Sequence, residues 1–328
     1  MTTEETNNKI GNPLENTKKL SIQVSLNGLS FCVLDTSTDT VLKAETAVFA
    51  KKRTPYGLLK HLKSLFLEHD IRLHRFSEVI VIHRNNLFGL VPQPLFDADE
   101  LPNYLKLNTK ILANDHMAYD TIESLDMVNV FVPFVNINNY IYEGFGAFTF
   151  KHHGTVILES LSNSWAVHRL ASGSNMKNES DRTDTAASTD RTDGHEIPVD
   201  RQTGRTERET SRISGPPIGK EPFCYLHIFE RQMDIAIFAQ RKLLLFNCFE
   251  FVTKEDFLYY LLFTLEQLQL DPNTVTVKLF GDIEEDDDLF ELCYRYIRNV
   301  TIIIPAFSDQ NFRNTTEEML DFTILNAL

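Results

Sequence analysis

The pattern of apolar and polar positions divides the chain into two similar halves. Residues 224–252, CYLHIFERQMDIAIFAQRKLLLFNCFEFV, contain three apolar runs separated by the polar breaks ERQMD and AQRK, which predicts a three-stranded antiparallel meander. A helix is predicted over TKEDFLYYLLFTLEQLQL. Thr253 can cap it, Asp256 sits at the positive end of its dipole, and Phe257, Leu261, Leu265 and Leu268 recur at helical spacing until Asp271-Pro272 ends the run. A strand over 274–280 follows, then the helix DDDLFELCYRYIRN, opened by three acids and closed by Arg295 and Arg298, then a strand over 300–304. The first half reads the same way. Strands are predicted over 20–25, 29–35 and 40–49, with a helix from Thr54-Pro55 through Leu58, Leu62, Leu65 and Phe66. A strand over 78–83, a short helix over 97–107, a strand over 127–134 and a closing helix over 155–165, with a strand as the alternative, complete it. Two copies of βββ-α-β-α-β predict an α/β protein with mixed sheets, built by internal duplication.

Composition adds boundaries. Residues 171–220 contain no Phe, Tyr, Trp or Leu and repeat DRTD at 181–184 and 190–193, so they offer too little apolar surface to offset the entropy of ordering. The expected organisation is a disordered N-terminus (1–18), a first lobe (19–170), a disordered linker (171–220) and a second lobe (221–328). The polar, acidic start and the lack of an apolar run near the ~18 residues of a membrane span point to a cytoplasmic protein. Cys32, Cys224, Cys248 and Cys293 are far apart and read as buried thiols.

The net charge of −14 is uneven: residues 221–328 carry 19 acids against 8 bases, whereas residues 1–170 carry 18 against 16. So acidic a second half argues against a nucleic-acid partner. The local exception is the basic stretch from Lys51, Lys52 and Arg53 through Lys60 and Lys63. It is either a solvated helix face or a docking surface for a protein partner, as is the acidic cluster Glu284, Glu285, Asp286.

The duplicated order resembles that of the actin-like ATPase superfamily. More closely, LLLFNCFEFVTKEDFLYYLLFTLEQLQLDP (243–272), GDIEEDD (281–287), YRYIRNV (294–300), FGLVPQPLFD (88–97) and FTFKHHG (148–154) resemble an uncharacterised bacterial family with a degenerate form of that fold. The resemblance implies two lobes with one strand-turn-strand phosphate loop each, together with a carboxylate at the end of the first strand for Mg²⁺ and a glycine pair beside adenosine.

The residues at those places are poor for that chemistry. The first loop, SLNGLS, has Gly28 for close backbone approach, but residues 19–34 contain no acid, and Ser25 and Asn27 are weak substitutes; Asn27-Gly28 is also a favoured hairpin turn. The second loop, Glu230-Arg231-Gln232-Met233, has no glycine and puts a carboxylate where phosphate would sit. The resemblance places Gly281 at the glycine pair, with Asp282 as its second member and five acids following. Ser25, Asn27, Gly28, Gly281 and Asp282 are thus the expected remnant of a nucleotide cleft. No catalytic residue, metal ligand or cofactor is expected, and a non-standard ATP/Mg site is the alternative. A ribonuclease-H-type nuclease would need acids on the first strand. His152-His153 on an extended chain should point to opposite sides, Asp115-His116 lacks a nucleophile, and Gly144-Phe145-Gly146 is too short for a P-loop. The reading is a pseudo-ATPase that binds or scaffolds a protein partner of unknown identity.

Overall fold

The computed structural model describes residues 17–162 (apart from 74, 107 and 113), 222–303 and 321–328. The expected linker and all but the last residues of the expected N-terminal segment lie outside the described residues.

Each lobe is built on a five-stranded mixed sheet. In lobe 1 the strands are β1 (Lys18–Val24), β2 (Gly28–Asp35), β3 (Thr40–Val48), β4 (Glu78–His83) and β8 (Thr149–His152), in the order β3-β2-β1-β4-β8. In lobe 2, β9 (Phe223–Phe229), β10 (Gln232–Ala239), β11 (Lys242–Glu250), β12 (Thr276–Gly281) and β13 (Asn299–Ile302) give the matching order β11-β10-β9-β12-β13. The first three strands form an antiparallel meander and the last two run parallel to the first. A register shift falls after the sixth residue of the second strand in both lobes, between Val33 and Leu34 and between Ile237 and Phe238. An irregularity retained at one place in both halves supports duplication more directly than strand order does.

Helices α1 (Pro55–Glu68) and α5 (Lys254–Gln267) follow the third strands. Thr54 and Thr253 cap them through side-chain bonds to Gly57 N–H and Asp256 N–H, and Asp256 completes a capping box in lobe 2. Leu58, Leu62 and Phe66 bury the inner stripe of α1 against β1 and β2; Phe257, Leu261 and Leu265 do the same for α5 against β9 and β10. Helix α3 (Val135–Phe145) covers sheet 1 beside α1, and α6 (Asp288–Tyr296) covers sheet 2 beside α5.

Two helices fill the space between the sheets. Helix α4 (residues 153–162) packs Val156 on sheet 1 and turns Ile157, Leu158 and Leu161 toward Tyr225, Phe238 and Phe280 of sheet 2. Helix α7 (Phe322–Asn326) sends Ile324 and Leu325 to sheet 1 and Phe322 to sheet 2. The layers therefore run helix, sheet, helix, sheet, helix, with a shared core at the centre.

The first lobe departs from expectation in one respect. Residues 127–134 were expected to give its fifth main strand, but β7 (Met127–Phe131) pairs with β5 (Phe88–Pro92) and β6 (Ala118–Ile122) in a separate three-stranded sheet, with α2 (Leu101–Lys106) packed against it. This insertion pushes the second helix and fifth strand of the repeat onward to α3 and β8. Helix α3 leaves little mark in the sequence because VNINNYIYEGF is rich in Asn and β-branched residues, which are weak helix formers, and burial of Ile137, Tyr140 and Ile141 secures it. The closing helix over 155–165 is present as α4 through the last residue described.

Candidate functional site

The two hairpin turns that would hold phosphate face each other across the lobes. In lobe 1, Ser25 Oγ accepts from the N–H groups of Asn27 (3.1 Å) and Gly28 (2.8 Å), so the loop's own side chain uses the donors a phosphate would need. In lobe 2 the turn is tighter than the four residues expected. Phe229 pairs with Gln232, leaving only Glu230-Arg231, and Glu230 adopts a left-handed backbone with φ of 55°. The Glu230 carboxylate reaches lobe 1: a Cβ added to Gly28 would lie 2.2 Å from Glu230 Oε1. Asp282 Oδ2 accepts from Glu230 N–H at 2.9 Å, fixing the turn. Gly281 ends β12 with φ of 94°, and a Cβ there would lie 2.1 Å from Ile228 O. Its glycine character thus serves the approach of two backbones within lobe 2. Gly28 and Asp282 both meet Glu230, Ser25 meets only the donors and carbonyl of its own loop, and Gly281 meets Ile228.

Behind the turns lies a buried ionic cluster that sequence reasoning missed. Arg84, which follows β4, is 1% exposed. Its Nε donates to Gln232 Oε1 (2.8 Å) and its Nη2 to Asp234 Oδ2 (2.6 Å), both in lobe 2. His153, at the start of α4, donates from Nε2 to Asp234 Oδ1 (3.0 Å), and His227 donates from Nδ1 to Asp234 Oδ2 (3.0 Å). Asp321, before α7, stands 3.6 Å from His227 Nε2. The strand registers explain the convergence: Asp234 lies directly opposite His227 on β9 and Cys248 on β11, on the face of sheet 2 that looks toward lobe 1.

Charge assignments follow. Burial alone would raise the Asp234 carboxyl, but Arg84 and His153 outweigh it and hold it well below the usual carboxylate range. Burial likewise opposes the charge on Arg84, and Asp234 with Asp321 outweighs it. Burial pushes Glu230 up to about 7, with Arg84 opposing and Asp282 and Asp321 adding to the rise. Burial also raises Asp282.

His152 and His153 do not point apart as expected. The chain passes from strand to helix between them, and their rings lie 4.3 Å apart between centroids. His152 Nδ1 accepts from Gly154 N–H, which makes its Nε2 the donor to Asn85 O at 3.0 Å. Burial first, then His153, holds His152 well below its ordinary value, so it is a neutral structural imidazole. His153, Asp234 and Cys248 bring ligand atoms within 4.8 Å of one another. A divalent cation fits poorly there, because the Arg84 guanidinium already pairs with Asp234 and would set a second positive charge beside the ion. All four cysteines are buried and free.

ATP/Mg does not fit the cleft either. Its phosphates would meet the Glu230 carboxylate, the loop donors are taken, and β1 supplies no acid. Of the expected partner surface, Lys51, Lys60 and Lys63 are exposed, as are Glu284, Glu285 and Asp286, although Ile283 between Asp282 and this cluster is buried. Lys52 instead bridges the lobes to Glu250 at 2.8 Å, and Arg53 lies 5.4 Å from the Phe49 ring.

Duplicated βββ-α-β-α-β lobes with facing hairpins define an actin-like ATPase fold. Within it, the chain belongs to the family described as "Protein of unknown function (DUF3822)", whose model matches residues 8–169 and 212–300. A crystal structure from Bacteroides thetaiotaomicron, described as a protein with actin-like ATPase fold and unknown function, is similar with a TM-score of 0.62 and 18% identity, covering 89% of this chain and 92% of that one. A structure of the PilM–PilN type IV pilus biogenesis complex is similar with a TM-score of 0.50 and 13% identity, covering 94% and 97%. At these identities the likeness shows the fold alone. No curated protein matches this chain.

Proposed function

We propose that this chain is a non-catalytic actin-like protein, a pseudo-ATPase that acts by binding or scaffolding other proteins in the bacterial cytoplasm. The observation that carries this reading is the Glu230 carboxylate packed on Gly28, in the place where the fold would hold phosphate. The Arg84–Asp234 pair behind it supports the reading, because opening the lobes to admit a nucleotide would part a buried ion pair. A neighbouring fold belongs to a protein complex, PilM–PilN, which makes protein binding a reasonable use of the scaffold. Among the described residues no helix is long and apolar enough to cross a membrane.

Thermal unfolding with and without Mg-ATP tests the reading. A ligand at 100 times its Kd adds about 2.7 kcal/mol of stability. The expected result is an unchanged midpoint at millimolar nucleotide. A shift that Glu230→Ala enlarges would establish a working nucleotide site and overturn the proposal.

A further inference from the structure

We propose that the outer faces of α1 and α5 bind each other between two copies of this chain, in a head-to-tail contact. The inference is independent of the closed cleft: nucleotide binding would overturn the reading of the cleft and leave this contact untouched.

Aligned on their capping threonines, Thr54 and Thr253, the two helices have the same buried stripe: Leu58 with Phe257, Leu62 with Leu261, Phe66 with Leu265. Their outward stripes have diverged into complementary chemistry. Helix α1 exposes Tyr56 (84%) and Leu67 (79%) around Lys60 and Lys63, which with Leu59 and Ser64 line a shallow groove. Residues 51–67 contain five bases and no acid, in a chain of net charge −14. Helix α5 exposes Tyr259 (61%) and Phe263 (43%), stacked on one another, between Glu255 and Glu266. Its one cation, Lys254, is already paired with Asp288 at 2.7 Å.

Slid by one turn, the stripes match in kind. Tyr56 meets Tyr259, Leu59 meets Leu262, Lys60 faces the Phe263 ring and Lys63 meets Glu266. An ammonium over an aromatic face is attractive, and rim ion pairs steer association without adding much affinity. Lys63 Nζ lies 5.1 Å from the Tyr140 ring within its own chain, so Lys60 is the freer of the two. Charge complementarity and the two apolar strips together favour a second copy over an unrelated acidic partner, since the matching surface is present on this chain.

The two helices lie on opposite outer layers of the molecule, α1 outside sheet 1 and α5 outside sheet 2. The contact is therefore heterologous: each added copy leaves one free α1 and one free α5, which permits a row or a ring. One helix pair buries little area, so association is weak and falls with salt.

Sedimentation velocity of the full chain reads this directly. The weight-average mass of the wild type should rise with concentration up to about a millimolar at low salt, and should fall as salt screens the contact. Lys60→Glu with Lys63→Glu, and separately Tyr259→Ser with Phe263→Ser, should each remain monomeric and folded, with a small drop in melting temperature where Lys63 leaves the Tyr140 ring and where the half-buried Phe263 loses its packing. An equimolar mixture of the two variants retains one intact α1 and one intact α5, and should form a 1:1 pair that grows no further. A wild type that stays monomeric, or association that survives both variants, overturns the proposal; the first result would leave α1 to an acidic protein of another kind.

Discussion

Superimposing the registers of the two lobes sets unlike residues at equivalent places. The first-to-second-strand pair Gln23–Ser30 of lobe 1 corresponds to His227–Asp234 of lobe 2. Arg84, whose N–H donates to Val24 O at 2.9 Å, corresponds to Asp282, whose N–H donates to Ile228 O at 2.8 Å. The fold is repeated down to individual backbone bonds, while the side chains have diverged: neutral Gln23 and Ser30 stand where lobe 2 has His227 and Asp234, and basic Arg84 stands where lobe 2 has acidic Asp282. A symmetric ancestor would oppose like against like across the lobes; the divergence turns that surface into a complementary one. The cleft of an actin-like protein is thereby converted into an interior, with the buried Arg84 of one lobe paired with Asp234 of the other.

The sharpest way to break this asymmetry is Asp234→Asn, which leaves Arg84 buried without its counter-charge. Removing one partner of a buried pair costs about 3–5 kcal/mol. Urea unfolding should show that loss, and adding Arg84→Met should restore a large part of it. If Asp234→Asn costs no more than a surface substitution, the pair does not hold the lobes together.

The two glycines at the turns give a smaller contrast. At Gly281 a Cβ meets the rigid backbone of Ile228 and requires positive φ, so Gly281→Ala should cost about 1–3 kcal/mol. At Gly28 the obstruction is chiefly the end of the Glu230 side chain, with Ala47 O at 3.0 Å, so Gly28→Ala should cost less than about 1 kcal/mol. In a double-mutant cycle Glu230→Ala should relieve Gly28→Ala and not Gly281→Ala. Equal coupling to both would remove Glu230 from the Gly28 turn.

These positions also mark what was legible in the sequence. The helices α1 and α5 and the meanders could be read because each carries its own period, set by one buried face. Glu230 could be read as hostile to phosphate from its charge and its place in a hairpin. Arg84, His153 and Asp234 could not be paired, because they are 150 and 81 residues apart and meet only through the packing of two lobes. The one local sign was an acid, Asp234, inside an otherwise apolar strand. Nor could β8 be picked over β7 as the fifth strand: β7 (MVNVF) is the more apolar run and β8 (TFKH) is mostly polar, and only the pairing of β4 with Thr149–His152 decides between them.

The smallest effect separates two acids of the same lobe by the sign of their pH dependence. Asp234 is held below its ordinary value, so it contributes stability at neutral pH that is lost as the solution is acidified. Glu230 is raised from 4.5 to about 7, so its contribution is fully present below pH 4.5 and is lost as pH rises through about 7, where it must ionise beside Asp282 and Asp321. Glu230→Gln keeps the shape and removes the ionisation. The variant should match the wild type near pH 4.5 and melt higher near pH 8. The side chain is partly exposed, and solvent screening limits the difference to below about 1 kcal/mol. Melting temperatures of both proteins across that range provide the measurement. A gap that is constant with pH, or that widens toward acid, would mean that Glu230 is not the group whose charge the closed cleft resists.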